Sequence, residues 1–551
     1  MTQHSGSSFG APTSSIPRRK MLKFSLFGAV GLVLSPAALT ACSNGSKTAL
    51  AGGQEAVALP AFAAPVKPTP TLPGTSDGVM DVYASFPMNG PVTVKDVVGD
   101  GSEFEFLVMT YGQPAPPLEE NAYWQILNKE LNLKLKPVMV PYADFPQKFP
   151  AMVAGNDLPD VVSVPVNMTV NRLPELAKTQ FTDLSDFISG DAVKKYPNLA
   201  GIPPYAWKNG LLNGRMYGVP KTDPVFGGQM YTKPDVFEKA GANLTPKSLE
   251  EFEESMKAVT DPKAGVYALG NPITDFILQS YGVQNKWTQA SDGTFTSHFE
   301  SEQFIPAIEK MATYYKAGYF HPDTATLEKT RRDSLFRTSK LAMTYDGNRA
   351  FGIIADDRNL VFSMMPSFGF DGTATPTYWT GKGAYAITML KKTTDEKKID
   401  QFLKTMNWLC APFGSKESFI ASYGQEGTNY EMRDGVAILT ERGQREQDLG
   451  FAYIAGGPQV LVNPQGAPGV DAAIHAWQTS VIPYLAEDPT AHLYSPTQNS
   501  KGASLEQGMT DAITAVFLGR SSSASLKSAV STWKSNGGEK IATEFAEAVK
   551  A

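Results

Sequence analysis

Residues 213–241, NGRMYGVPKTDPVFGGQMYTKPDVFEKAG, constrain the fold more than any other stretch of the chain. A glycine-containing turn leads into the short apolar run 216–219, which breaks at Pro220. A second extended run covers 229–231, and Asp235 opens a helix signal. Two extended pieces joined by a crossing rich in proline and glycine suit a chain that leaves one compact lobe and enters another. Length agrees, because 551 residues exceed what one simple core organises and two or three units are expected. The 49 basic and 55 acidic residues leave a formal charge of −6 with no basic stripe, which excludes nucleic acid as the main partner.

The first hundred residues read as targeting and tether. Arg18, Arg19, Lys20 and Lys23 precede an apolar segment, 24–34, that is too short for a membrane span of about 20 residues. Small residues then lead to Cys42, and basic, apolar, small is the order of an export signal, here 1–41. The tetrapeptide LTAC ending at Cys42 resembles a bacterial lipobox, in which that cysteine is lipidated and becomes the mature N-terminus. PRRKMLK at 17–23 resembles a twin-arginine signal through Arg18 and Arg19, but Pro17 and Met21 depart from it, so a Sec route stays open. Residues 42–100 then form the lipidated N-terminus and a tether rich in alanine and proline, too poor in apolar bulk between 43 and 74 to fold alone. The membrane is touched by the lipid alone. With Cys42 so assigned, Cys410 is left without a disulfide partner, and its apolar neighbours make it a buried small hydrophobe.

The body begins with alternating strand candidates. Phe104, Phe106 and Val108 alternate along 103–110, a helix with Tyr123, Leu127 and Leu131 inward follows, and 133–140 is a second strand. A helix over 142–154, carrying Pro146 and Pro150, leads to the buried-type strand 161–164. Strand, helix, strand, helix, strand predicts a parallel sheet with its ligand edge at the strand C-termini. Further on, Ser248 caps a helix with Glu251 completing a capping box, and Leu249, Phe252, Met256 and Val259 face inward. Phe304, Ile308, Met311 and Tyr315 pattern another helix; residues 364–378 read as a second crossover, 383–389 as a strand, and 397–409 as a helix.

Several motifs carry a resemblance. GRMYGVP at 214–220, GNDLPDVVSV at 155–164, LFRTSKLAMTYDGN at 335–348, GQEGTNY at 424–430 and the closing Trp533, Gly537, Gly538, Glu544 pattern are similar to sugar-type extracellular solute-binding proteins, the receptors of ABC importers, in their large lipoprotein branch. The resemblance spans about 103–551 and implies an α/β, two-lobed, periplasmic-binding-protein-like fold whose hinge the chain crosses more than once. Lobe 1 is expected over 101–222 and 377–412, and lobe 2 over 223–376 and 413–551. It further implies a monomer, lipid-anchored on the extracytoplasmic face of the bacterial membrane, that takes a carbohydrate to importer permease subunits and needs no cofactor. Large members of this branch carry a calcium loop where this chain has DPKAGVY at 261–267; it keeps one carboxylate, too few oxygens for Ca²⁺, so no metal is expected.

Catalytic signatures are missing: the chain has no GxSxG, P-loop, GxGxxG or HExxH pattern, and His4, His298, His321, His475 and His492 lack metal-ligand spacing. His321 beside Pro322 reads as a turn residue. Paired glycosidase carboxylates meet only in space, so a surface-tethered polysaccharide-degrading enzyme stands as the alternative, with a sensor or adhesion protein of the same fold as a third reading. A sugar cleft needs flat aromatic faces and planar polar groups where the lobes face each other. The candidates are Tyr111 and Asn167 at first-lobe strand ends, Lys221 and Thr222 at the crossover, Tyr345 and Asp346 in the loop after a strand, and Trp379, Trp207 and Trp287. Trp124 is assigned to the core.

Overall fold

The computed structural model describes residues 56–110, 114–168, 170, 172–347, 360–463 and 466–550, all within one compact unit. Nine strands build two sheets: β1 (Glu103–Thr110), β2 (Lys134–Pro141), β3 (Val161–Pro165), β4 (Gly218–Thr222), β5 (Gly228–Thr232), β6 (Tyr267–Leu269), β7 (Leu341–Gly347), β8 (Ser363–Met364) and β9 (Ala384–Leu390). The first sheet has the order β2-β1-β3-β9-β4, and the second β8-β5-β7-β6. β1 runs parallel to β2 and β3, as the alternation of strands and helices requires, whereas β9 returns antiparallel between β3 and β4.

Period-two alternation explains why the first sheet is buried on both faces. Phe104, Phe106 and Val108 of β1 enter one apolar cluster with Leu127, Leu131 and Phe402, while Leu107 and Met109 enter another with Phe145, Phe149 and Ile387. Four helices show the expected local chemistry: α1 (Ala122–Leu131), α2 (Leu249–Val259), α3 (Phe304–Lys316) and α4 (Glu396–Leu409). Asn121 caps α1 by accepting the Trp124 N–H, and Asn132 closes it in the left-handed region. On α2 the Ser248 side chain accepts from the Glu251 N–H at 3.2 Å, but the Glu251 carboxylate takes the Lys247 N–H instead of closing the box on Ser248. Leu249, Phe252, Met256 and Val259 are all buried. On α3 the inner face is completed by Tyr314, one position before the expected Tyr315, because the Tyr314 hydroxyl reaches the Leu249 carbonyl at 3.1 Å.

The two sheets meet at a crossing. The chain leaves the first sheet after Thr222 and joins the second at Gly228. It returns alongside itself: the Gly381 N–H donates to the Val225 carbonyl at 2.7 Å, and the Asp223 N–H to the Gly383 carbonyl at 3.1 Å. This return lies at 380–383, beyond the expected 364–378, because Met365, Phe368 and Tyr378 are still buried in second-sheet clusters. A third passage follows much later. Residues 413–455, expected in lobe 2, pack on the first sheet's side instead: Ile420, Leu449, Phe451 and Ile454 complete its core, and the buried Glu446 carboxylate takes the Tyr123 N–H. Gly456 pairs with Lys221 at the crossing, and Leu461 then joins the second-sheet side.

From Val57 onward the segment expected as a partly extended tether is extended and bound to the body. The N–H groups of Val57, Ala61 and Ala63 donate to Gly214, Gly190 and Ala200, Val82–Tyr83 pairs with Leu461–Val462, and Phe86 packs on Phe413 and Phe419. Short of apolar residues, it borrows backbone partners and pockets that the body supplies. Among the described residues no helix is long and apolar enough to cross a membrane. Cys410 is buried, and that burial pushes its thiol up to about 12.

Candidate functional site

A cleft of about 1600 Å³ opens between the first sheet and the segments 285–287 and 485–499. Its first wall comes from the loop after β3 (Val166, Asn167, Met168), the segment carrying Tyr205, Lys208, Asn209, Arg215 and Tyr217, and Tyr385 on β9. The opposite wall comes from Asn285, Lys286 and Trp287, then 485–499, then Phe545 near the C-terminus. Asp223, Val225, Thr380, Gly381 and Lys382 of the paired crossovers form the floor, and Ser76 and Asp77 of the N-terminal segment reach its edge. The cleft thus lies at the C-terminal end of β3, where an open α/β sheet presents its ligand edge.

The aromatic groups here are held by specific packing. Gly383 has φ +68°, and a Cβ on it would come within 2.4 Å of the Tyr205 ring, so only glycine lets that ring lie against the crossover. Burial, with the nearby Asp223 charge, pushes the Tyr205 phenol up to about 12. Tyr385 packs on Tyr453 with ring centroids 5.3 Å apart, and Trp287 meets Phe545 edge-on at 5.4 Å. Arg215 binds Asp183 at 2.7 Å; burial acts to raise that carboxyl, but hydrogen bonds from Ser185 and Arg215 outweigh it and hold the group below its ordinary range.

A second group of charges surrounds His492. Lys382 Nζ donates to the Val166 carbonyl at 2.9 Å, and Lys286 lies 3.8 Å from Asp488. Asp488 also accepts from the Thr490 N–H and hydroxyl at 2.8 and 2.6 Å. Although His492 keeps access to solvent, the surrounding walls desolvate it, and with Lys208 and Lys382 nearby its pKa falls to about 4; the ring is neutral at pH 7. Desolvation, then the field of Lys286, pushes Lys382 down as well.

Of the residues nominated from sequence, Asn167 and Trp287 line this cleft, Asn167 also donating to the Tyr142 hydroxyl at 3.1 Å. The others are engaged elsewhere. Trp207 is fully buried in the first core, since its short helix packs against the sheet. Thr222 is buried with its hydroxyl directed at the Gly456 carbonyl at 2.8 Å, and Lys221 pairs with Gly456, so both serve the crossing. The Tyr345 hydroxyl accepts from Gln279 Nε2 at 3.2 Å among second-sheet residues. Asp346 is spent on Lys329 and Arg332, at 2.6 and 2.7 Å. Trp379 is half-buried, its indole N–H donating to the Val283 carbonyl at 2.7 Å. Tyr111, Cys42, Arg18 and Arg19 lie outside the described residues.

Sequence reading missed Tyr205, Lys208, Arg215, Asn285, Lys286, Lys382, Tyr385, Asp488 and His492. Lys382 could have been found from its place beside a glycine-rich crossover, whereas nothing local marks 485–499 as a cleft wall. His321 is a turn residue, its Nδ1 accepting the Asp323 N–H at 3.1 Å, and Trp124 is partly buried against the first core with its indole N–H on the Leu135 carbonyl. Asp261 spends one carboxylate oxygen on the Lys263 and Ala264 N–H groups. Among the described residues no group of three or more histidine, cysteine, aspartate or glutamate side chains is placed to hold a metal ion.

Comparison with known proteins gives a consistent set of relatives. Residues 122–421, just over half of the chain, match the family model described as bacterial extracellular solute-binding protein. Lipoprotein LipO of Bacillus subtilis is 22% identical over 467 residues, covering 78% of this chain and 88% of the relative. The polygalacturonan/rhamnogalacturonan-binding protein YtcQ of the same organism is 23% identical over 473 residues, covering 81% and 91%. Among solved structures, the N-glycan transport solute binding protein NgtS of Streptococcus pneumoniae superposes with a TM-score of 0.60 at 16% identity, covering 82% of this chain and 98% of its own. The likeness in fold is to a two-lobed solute-binding protein.

Proposed function

Because the chain belongs to the bacterial extracellular solute-binding protein family, we propose that its cleft captures an oligosaccharide and delivers it unaltered to an ABC importer. The observation that carries this reading is the cleft itself: about 1600 Å³, walled on one side by the first sheet and its loops, on the other by 285–287, 485–499 and Phe545, and floored by two antiparallel crossovers. That volume exceeds the 300–1000 Å³ or so of ordinary small-molecule pockets, and suits a chain of sugars. Partly exposed aromatic faces at Tyr205 and Tyr385 and the exposed Asn167 amide supply chemistry that such a ligand needs, with Trp287 packed behind the opposite wall. One aromatic contact is worth about 1 kcal/mol, while micromolar affinity needs about 8, so both walls must act together. Closure about the crossovers brings them together and creates the form that a permease recognises. In this reading the first lobe holds 101–222 and 384–455, and the second 223–380 and 457–550. Relatives named as polygalacturonan/rhamnogalacturonan- and N-glycan-binding support a carbohydrate ligand.

The protein works as a monomer, lipid-anchored through Cys42 on the extracytoplasmic face after export directed by Arg18 and Arg19. It is a receptor and not an enzyme. A glycosidase needs one carboxyl of raised pKa as its acid, whereas Asp183 at this cleft is held below its ordinary range, and the relatives YtcQ and NgtS are named as binding proteins. A thermal-shift screen against mono- and oligosaccharides, followed by chromatography of the recovered glycan, tests the proposal. Saturable stabilisation with intact glycan is expected. Cleavage products would establish the enzyme reading, and no stabilisation by any glycan would remove carbohydrate from the proposal.

A further inference from the structure

Lys208, Lys382 and His492 converge on the cleft from three separate segments: the end of the helical turn at Pro204–Trp207, the returning crossover, and the wall after Leu485–Ala486. Neither Lys208 nor Lys382 makes an ion pair among the described residues; Lys382 has only the Val166 carbonyl. His492 has no hydrogen-bond partner there and lies in the fields of both lysines. Lys286 joins the group from the second wall, and the Asp488 carboxylate faces Lys382, His492 and Lys286. That carboxylate is divided between Thr490 and a long contact to Lys286, so it leaves the ammonium groups of Lys208 and Lys382 unneutralised.

Like charges gathered on one face of a cleft repel, and an anion entering between them lowers that cost. The remainder of the lining shows no such excess: Arg215 is neutralised by Asp183, and Asp77, Asp223, Glu487 and Glu506 offset Lys178. The positive character is therefore confined to this part of the lining, on a protein of net charge −6.

We infer that the cleft is selective for an oligosaccharide containing a uronic acid, whose carboxylate sits between Lys208 and Lys382 with the His492 ring donating an N–H. This rests on the carbohydrate reading above and sharpens it to a ligand class. Two ammonium groups and one ring N–H suit the two oxygens of a carboxylate, and charge-assisted hydrogen bonds of this kind are about twice as strong as neutral ones. Tyr205, in the same wall as Lys208, offers a ring face to the same or the adjoining unit.

Calorimetric titration with two matched pairs of probes tests this. One pair is tetragalacturonate and its carboxyl-reduced counterpart; the other is a xylo-oligosaccharide bearing one glucuronic acid and the same chain without it. In at least one pair the acidic member should bind about tenfold tighter or more, and Lys382→Gln or Lys208→Gln should erase that ratio while leaving the melting midpoint unchanged. Equal or better binding of the neutral members, or a ratio untouched in both variants, would overturn the uronate assignment and leave a carbohydrate receptor standing. Binding of neutral glycans from the wider screen with none of these four probes would do the same. Failure of every glycan in both experiments would overturn the carbohydrate reading as well.

Discussion

The Tyr205 ring lies against Gly383 so closely that a Cβ on the glycine would come within 2.4 Å of it, at a backbone position with φ +68°. One residue belongs to the cleft wall and the other to the returning crossover, so this contact joins ligand surface to hinge. Gly383→Ala should therefore destabilise the protein by about 2 kcal/mol, from left-handed strain and overpacking together. Glycan affinity should fall with it. Urea unfolding and titration of the single variant and of Gly383→Ala/Tyr205→Ala measure both, and the second substitution should recover part of the stability loss. Additive losses would show that the ring and the glycine are not coupled.

Asp346 distinguishes structural from ligand chemistry. Its carboxylate is bound by Lys329 and Arg332 at 2.6 and 2.7 Å. Asp346→Asn is expected to lower stability by about 1 kcal/mol, as for a partly exposed pair with good geometry. Affinity for the glycan found in the screen should stay within about twofold, an outcome opposite to that expected from its place in the sequence.

The N-terminal segment is fastened by Glu417. Its buried carboxylate accepts the N–H groups of Thr93 and Val94 at 2.9 and 2.8 Å and the Thr93 hydroxyl at 3.1 Å. Glu417→Ala leaves those donors without a partner, at about 1–3 kcal/mol each where they stay buried. Limited proteolysis should then cut near 86–98, where the unaltered protein resists, well below the melting temperature.

Acid sensitivity has an identifiable source in Asp400. Burial acts to raise this carboxyl, but Lys195, Lys404 and Tyr196 outweigh it and hold it at about 2, below the ordinary 3.8. A carboxyl depressed on folding contributes stability that is fully present above the unfolded value and is lost as pH falls through the folded one. The melting temperature should therefore drop between about pH 4 and pH 2, and Asp400→Asn should flatten that limb while lowering stability at pH 7. Because the group is partly exposed, the effect at pH 7 should be no more than about 1 kcal/mol. An unchanged acid limb in the variant would place the sensitivity elsewhere.

The strands β1 and β9, the helices α1, α2 and α4, and the first crossing were legible because each depends on neighbours a few residues away. Alternation of Phe104, Phe106 and Val108 needs only the pleat, and the Ser248 cap needs only its own turn. Of the residues nominated from sequence, Asn167 and Trp287 line the cleft. Tyr345, Asp346 and Trp379 share the type and location of ligand residues, but each is engaged outside the cleft: Tyr345 and Trp379 with the distant Gln279 and Val283, and Asp346 with Arg332, 14 residues back on the preceding helix.

By itself, then, the sequence determined the α/β character, the resemblance to a solute-binding family and the place where the chain first changes sheet, since local periodicity and short motifs write these directly. Only the tertiary structure decided that 413–455 complete the first core, that 485–499 return to wall the cleft, and that Lys208, Lys382 and His492 share one space. These outcomes depend on which apolar faces find each other across hundreds of residues. A long-range pairing of that kind leaves no trace in the spacing of either segment.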